Sequence, residues 1–160
     1  MIAVVGPGEG ATEQSCMLAS EVGRLLALRG AVVFTGGLGG VMAAAARGAG
    51  GAGGVAVGLL PGLDRAAGNA DNTVAIATGL GQARNALIVR AADAMIAVGG
   101  SWGTLSEIAL CRRAGKPVVC LRGWQILDSI GQEVPLDVAS SPEHAIDLLA
   151  QALGWASAPD

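Results

Sequence analysis

Five consecutive apolar residues, Ala94-Met95-Ile96-Ala97-Val98, run directly into Gly99-Gly100-Ser101-Trp102-Gly103 and then Thr104-Leu105-Ser106-Glu107. No charge interrupts the run, so it reads as a strand buried on both faces, as in a parallel sheet. The glycine turn ends the strand, and Thr104 opens a helix carrying Ile108, Ala109 and Leu110. Such a strand–turn–helix unit makes an anion cradle. The free N–H groups of the first helical turn point at whatever lies above them, and small residues let it approach closely. Glu107, one turn into the helix, has two readings. It is a cap-type carboxylate answering the helix dipole, or a group that binds or acts on the ligand.

The same unit recurs along the chain. Residues 1–5 form a first strand that ends in Gly6-Pro7-Gly8-Glu9-Gly10-Ala11. A helix follows over about 12–29, with Thr12 as N-cap, Gly30 as stop, and Met17, Leu18, Val22, Leu25 and Leu26 on one apolar face. Strand two, 31–34, leads through Thr35 into Gly36-Gly37-Leu38-Gly39-Gly40-Val41-Met42, then an alanine-rich helix from Ala43 to about Gly48 and a flexible link over 48–54. Strand three is 55–60. Residues 61–72 lack periodicity, and a loop of that length in a small domain is functional or mobile. Strand four is 73–78, and Gly79-Leu80-Gly81-Gln82 turns into a helix that holds Ala83 to Arg90, with Arg84 in its first turn, and directs Leu87, Ile88 and Ala91 at the sheet. Strand six is 117–121, residues 122–139 are loop-like, and Ser141-Pro142-Glu143 caps a last helix reaching about Gly154.

This alternation predicts a single α/β domain over 1–160, a three-layer, doubly wound parallel sheet of the Rossmann-like kind. Ligands bind such sheets at the carboxyl ends of the strands, near a switch in strand order. The loops at 6–8, 36–40, 79–84 and 99–107 all lie there, around one mouth.

Composition narrows the chemistry. Apolar residues make up 52% of the chain but aromatics only 2%, so the core is built from Ala, Val, Leu and Ile, which suits helices packed closely on a sheet. The 26 glycines follow no period and cluster after apolar runs, against collagen-like or disordered readings. Net charge is −3 and the basic residues are dispersed, with no Lys/Arg stripe for a nucleic-acid polymer. Without a transmembrane-length span or a charged leader, a cytoplasmic chain with no membrane partner is expected. Cys16, Cys111 and Cys120 are widely spaced and read as reduced core residues. Lys116 is the only lysine and His144 the only histidine, so neither a metal site nor a Ser–His–acid triad is expected. Gly6-x-Gly8-x-x-Ala11 matches a loose dinucleotide fingerprint, yet strand two ends in Thr35 and glycines where a ribose-binding acid belongs, which argues against NAD. Arg84 near a helix start opposes the helix dipole, and a residue placed against local preference is a ligand candidate.

Gly37-Leu38-Gly39-Gly40-Val41-Met42, Ala83-Arg84-Asn85 and Gly100-Ser101-Trp102-Gly103-Thr104-Leu105-Ser106-Glu107 resemble the LOG-like (LONELY GUY) superfamily. That superfamily includes cytokinin-activating phosphoribohydrolases and proteins long labelled lysine decarboxylases, and the resemblance runs in order over about 1–121. Gly99, Gly100 and Ser101 stand where LOG enzymes carry Pro-Gly-Gly, and Asn85 where they favour lysine. These departures and the short chain resemble more closely the sister branch that includes molybdenum cofactor carrier proteins. The resemblance implies a phosphate-bearing, nucleotide-like ligand. With the glycine loops, the binding set is Gly6, Gly8, Gly36, Gly37, Gly39, Gly40, Met42, Asn85, Gly99, Gly100, Ser101, Trp102, Gly103 and Thr104.

Three functions fit that set. In a phosphoribohydrolase, Arg84 and Glu107 are the catalytic pair that cleaves the N-glycosidic bond of a nucleoside 5′-monophosphate, because a fixed carboxylate stabilises an oxocarbenium-like state. In the alternative, the loops hold a molybdopterin-type cofactor as cargo, Arg84 and Glu107 only position it, and no bond is broken. No cofactor is required for either. A third reading is a sensor that reports nucleotide occupancy through subunit contacts. Trp102 stacks on a flat ring or anchors its loop. The high apolar content points to a homo-oligomer, a dimer or tetramer. The decarboxylase label fails, since Lys116 lies at the amino end of strand six, the wrong edge of the sheet for a Schiff base.

Overall fold

Strands β1 (Ile2–Val5), β3 (Ala56–Leu60), β5 (Ala94–Val98) and β6 (Val118–Leu121) are buried at every position, as runs of small and branched apolar residues require when helices cover both faces. β2 (Val33–Thr35), β4 (Val74–Ala77) and β7 (Asp137–Ala139) complete one parallel sheet in the order β4-β3-β2-β1-β5-β6-β7. These elements come from a computed structural model that describes residues 1–155. Residues 156–160 of the expected 1–160 domain lie outside the described residues.

The chain steps outward from β1 to β4, then returns to lay β5 on the other side of β1. The loops after β1 and β5 therefore diverge, which opens a crevice at this switch point. Helices α1 (Glu13–Leu28), α2 (Val41–Gly51) and α5 (Pro142–Leu153) cover one face around Val4, Leu26, Ile96 and Leu149. Helices α3 (Asn85–Ala91) and α4 (Trp102–Arg113) cover the other around Val5, Ile88, Met95 and Ile108. The architecture is the expected three-layer, doubly wound one.

Helix ends follow their sequence signals. Thr12 caps α1 by accepting the Ser15 N–H at 3.1 Å, Ser141 caps α5 with Pro142 behind it, and Gly154 closes α5 in the left-handed region at φ 64°.

Several details differ from the sequence reading. The buried face of α1 is Ser15, Ala19, Val22, Gly23 and Leu26, and Met17 is 67% exposed. The cause is α2, which packs against α1 through small residues. A Cβ on Gly23 would lie 2.1 Å from the Ala45 carbonyl oxygen, and one on Gly48 1.8 Å from that of Ser20. For the same reason residues 48–51 stay helical instead of linking, because Gly48 is part of that contact. On α3 the sheet-facing residues are Ile88 and Val89, and Leu87 is exposed. The helix α4 begins at Trp102, two residues before the expected Thr104, because Ser101 caps it. Finally, β7 adds a seventh strand where a loop was expected.

Candidate functional site

Four loops meet over the switch point and enclose a cleft of about 220 Å³. Gly6, Gly8 and Glu9 enter from the turn after β1, and Leu38 and Met42 from the turn after β2. Gln82, Arg84 and Asn85 come from the 3₁₀ turn (Gly81–Arg84) that leads into α3. Ser101, Gly103, Thr104 and Glu107 come from the head of α4. Larger hollows of about 330 Å³ beside β7 and about 290 Å³ between α3 and α4 contain neither a buried carboxylate nor a buried guanidinium. The smaller cleft holds both.

Arg84 is 6% exposed, and its Nε has no hydrogen-bond partner. No carboxylate among the described residues lies within ion-pair distance of it. Burial lowers its pKa and Glu107 pulls it back up, yet a guanidinium stays cationic. An inward cation with no carboxylate in ion-pair contact keeps its donors free for an external anion. Glu107 is 7% exposed in the same cleft. Burial pushes its carboxyl up to about 7, against a smaller downward pull from Arg84.

The head of α4 is partly spent on its own cap. Ser101 Oγ accepts the Thr104 N–H at 3.2 Å and shares a 2.9 Å hydrogen bond with the Thr104 hydroxyl. The first-turn N–H groups left without a partner are those of Trp102 and Gly103. Asn85 Nδ2 donates to Ser106 Oγ at 3.2 Å, and that hydroxyl donates to the Gly103 carbonyl at 2.7 Å, which ties the start of α3 to the start of α4.

Of the residues named from sequence, Gly6, Gly8, Met42, Arg84, Asn85, Ser101, Gly103, Thr104 and Glu107 line one cleft. The others stand behind or beside it. Gly36 backs the Arg84 side chain. The Gly37 carbonyl accepts from Asn69 N–H at 2.9 Å and from the side-chain amides of Asn69 and Asn72 at 3.0 Å each, so it pins the 61–72 loop. Gly40, at φ +61°, lies against the Pro7 and Gly8 carbonyls, and the Val41 N–H donates to Pro7 at 3.0 Å. Gly39 has open space around its α-carbon, Gly99 lies by Ser15 and Pro7, and Gly100 lies under Trp124. Trp102 is 80% exposed, edge-on to Trp124 with ring centroids 5.1 Å apart. Sequence reasoning missed Glu9, Leu38 and Gln82 as lining residues. Glu9 had a signal, a lone carboxylate between two glycines of an anion-type turn.

Strand order, switch point and glycine-walled cleft define a Rossmann-like α/β domain with its site at the strand carboxyl ends. The SLOG cluster4 family model matches residues 1–146, and the chain belongs to that family. An uncharacterised protein of Archaeoglobus fulgidus is 42% identical over 146 residues, 91% of each chain. The molybdenum cofactor binding protein of Rippkaea orientalis superposes with a TM-score of 0.87 at 40% identity, over 95% of this chain and 96% of that one. The molybdenum cofactor carrier protein of Chlamydomonas reinhardtii gives 0.84 at 35% identity, over 96% and 97%. Among the described residues no helix is long and apolar enough to cross a membrane.

Proposed function

We propose that this chain binds a molybdopterin-type cofactor through its phosphate and carries it as cargo without breaking a bond. The observation that carries this reading is the buried, unpartnered guanidinium of Arg84 in a glycine-walled cleft. It is an anion site in a chain that resembles two cofactor-binding proteins over nearly its whole length. The residues fit a phosphate monoester: Arg84 supplies charge, the Gly103 N–H supplies a donor at the head of α4, and Gly6 and Gly8 form part of the wall. Trp102 lies in sequence between the cleft-lining Ser101 and Gly103, and its exposed ring can lie against a flat heterocycle that extends past them. The molybdenum travels within the cargo; the described residues contain no group of three His, Cys, Asp or Glu side chains suited to hold it.

A second reading rests on Arg84 and Glu107 lining one cleft, the pair a phosphoribohydrolase needs. One preparation separates the two. Oxidation of the purified protein releases a fluorescent pterin if it is a carrier. Free base released from nucleoside 5′-monophosphates, and abolished in Glu107→Ala, identifies a hydrolase instead. We also propose a cytoplasmic homo-oligomer, dimeric or tetrameric, because Val74, Ile76 and Leu87 leave apolar surface exposed. Light scattering reads the subunit count.

A further inference from the structure

Charges around the cleft are arranged oddly for a phosphate site. The turn after β1 brings Glu9, the turn before α3 brings Arg84, and α4 brings Glu107. The turn after β2 brings only Leu38 and Met42. The strands beneath, β1 and β5, are apolar throughout, and the remaining charges of α3 and α4, Arg90, Arg112 and Arg113, lie at the far ends of those helices. One cation therefore faces two carboxylates. Glu9 is exposed, so water screens it. Glu107 is buried, and no described group donates a hydrogen bond to it. Near neutral pH a phosphate monoester carries between one and two negative charges. Seated on Arg84, it meets the Glu107 carboxylate, which the protein buries in the same cleft, and a buried charge is repelled strongly by a like one.

We propose that Glu107 meets the bound phosphate as a neutral carboxylic acid, donating its proton in a hydrogen bond to a phosphate oxygen while Arg84 supplies the positive charge, so that loading the site takes up a proton from solvent. The ligand class rests on the function proposed above. A protonated buried carboxyl is a strong donor to an anion, and the ionised form has no proton to give. Burial already brings the empty site close to this state, with Glu107 at about 7. Glu107 thereby becomes a specificity-determining donor for a phosphate.

Titration calorimetry of the full chain tests this, with two probes, inorganic phosphate and a pterin phosphate monoester. Each is titrated near pH 8 and near pH 6, in two buffers of widely different ionisation enthalpy, into the wild type and Glu107→Gln. Near pH 8 the wild type takes up close to one proton more per ligand than the variant, because free Glu107 is then mostly ionised. The carboxamide keeps an N–H donor without needing a proton. Glu107→Gln therefore binds about tenfold tighter than wild type near pH 8 and about equally near pH 6. Equal proton uptake in the two proteins, or a variant weakened alike at both pH values, overturns the proposal, because Glu107 then acts in its charged form. If inorganic phosphate binds with the extra proton and the pterin phosphate binds no tighter, the cofactor reading falls and the protonation stands. If neither probe binds, both fall. Circular dichroism of the variant confirms its fold, and the proton count of the wild type does not depend on it.

Discussion

A Cβ on Gly36 would lie 2.3 Å from Nη1 of Arg84 and 2.5 Å from Sδ of Met42. The glycine that follows β2 thus leaves the space that the guanidinium occupies. Arg84 comes from the turn after β4, two strands further out in the sheet, so its charge is delivered across the strand ends toward the switch point. Two loops remote in sequence build one anion site, and the small residue in one is as necessary as the charged residue in the other.

Gly36→Ala separates binding from folding. The atoms a methyl would strike are the ends of two flexible side chains, so the backbone need not move and thermal stability stays near wild type. Arg84 must leave its berth, and losing a charge-assisted hydrogen bond weakens phosphate binding roughly 10- to 100-fold. Calorimetry with a phosphate probe, beside a thermal melt, reads both quantities. Unchanged affinity would show that Arg84 does not hold the anion.

Glu107 carries a stability signature of its own. Its folded pKa of about 7 lies above the unfolded value of 4.5. Between those two the folded chain holds the extra proton, so the contribution of Glu107 is full below pH 4.5 and is lost as pH rises through 7. At pH 8 the buried carboxylate costs roughly 3 kcal/mol, a penalty Glu107→Gln does not suffer. The variant should melt about 6–12 °C above wild type at pH 8, with the gap closing toward pH 4.5. A variant that melts lower at pH 8 contradicts this.

The strands were legible because burial on both faces leaves an uninterrupted apolar run, as at Ala94–Val98. Caps at Thr12 and Ser141 were legible because they are local. The face of α1 was not, since its rotation is set by where Gly23 and Gly48 let α2 approach, a contact between helices that no periodicity within one helix encodes. Strand β7 was not, because Asp137-Val138-Ala139 is short and half exposed at the sheet edge. Arg84 and Glu107 were each legible from local oddity and resemblance, while their meeting depends on β1 lying between the two halves of the sheet. Glycines such as Gly37 and Gly40 marked the turns correctly, yet a turn has two sides. Theirs face Asn69, Asn72 and Pro7 rather than the cleft.

Lys116 has a structural task. Its Nζ donates to the carbonyls of Val89, Arg90 and Ala92 at 2.7, 3.1 and 2.5 Å, which answers the free carboxyl end of α3 at the edge of the sheet opposite the cleft. Lys116→Met should lower stability by about 2 kcal/mol in denaturant titration. Phosphate affinity should stay as in wild type. A fall in affinity without a fall in stability would instead bring this lysine into the site.

Two glycines on α2 predict opposite outcomes for one substitution. Alanine is favoured over glycine within a helix by about 1 kcal/mol. At Gly50 nothing lies within 4 Å of the added methyl, so Gly50→Ala should stabilise by roughly that amount. At Gly48 the methyl would lie 1.8 Å from the Ser20 carbonyl oxygen, and backbone cannot swing aside as a side chain can. The helices must part, at a cost of about 2 kcal/mol or more that outweighs the propensity gain. Gly48→Ala should therefore melt about 2–4 °C or more below wild type. Because the first turn of α2 holds Met42 in the cleft wall, the same shift should weaken phosphate binding, which Gly50→Ala leaves intact. If both variants melt above wild type, the close α1–α2 contact is not what sets the position of α2.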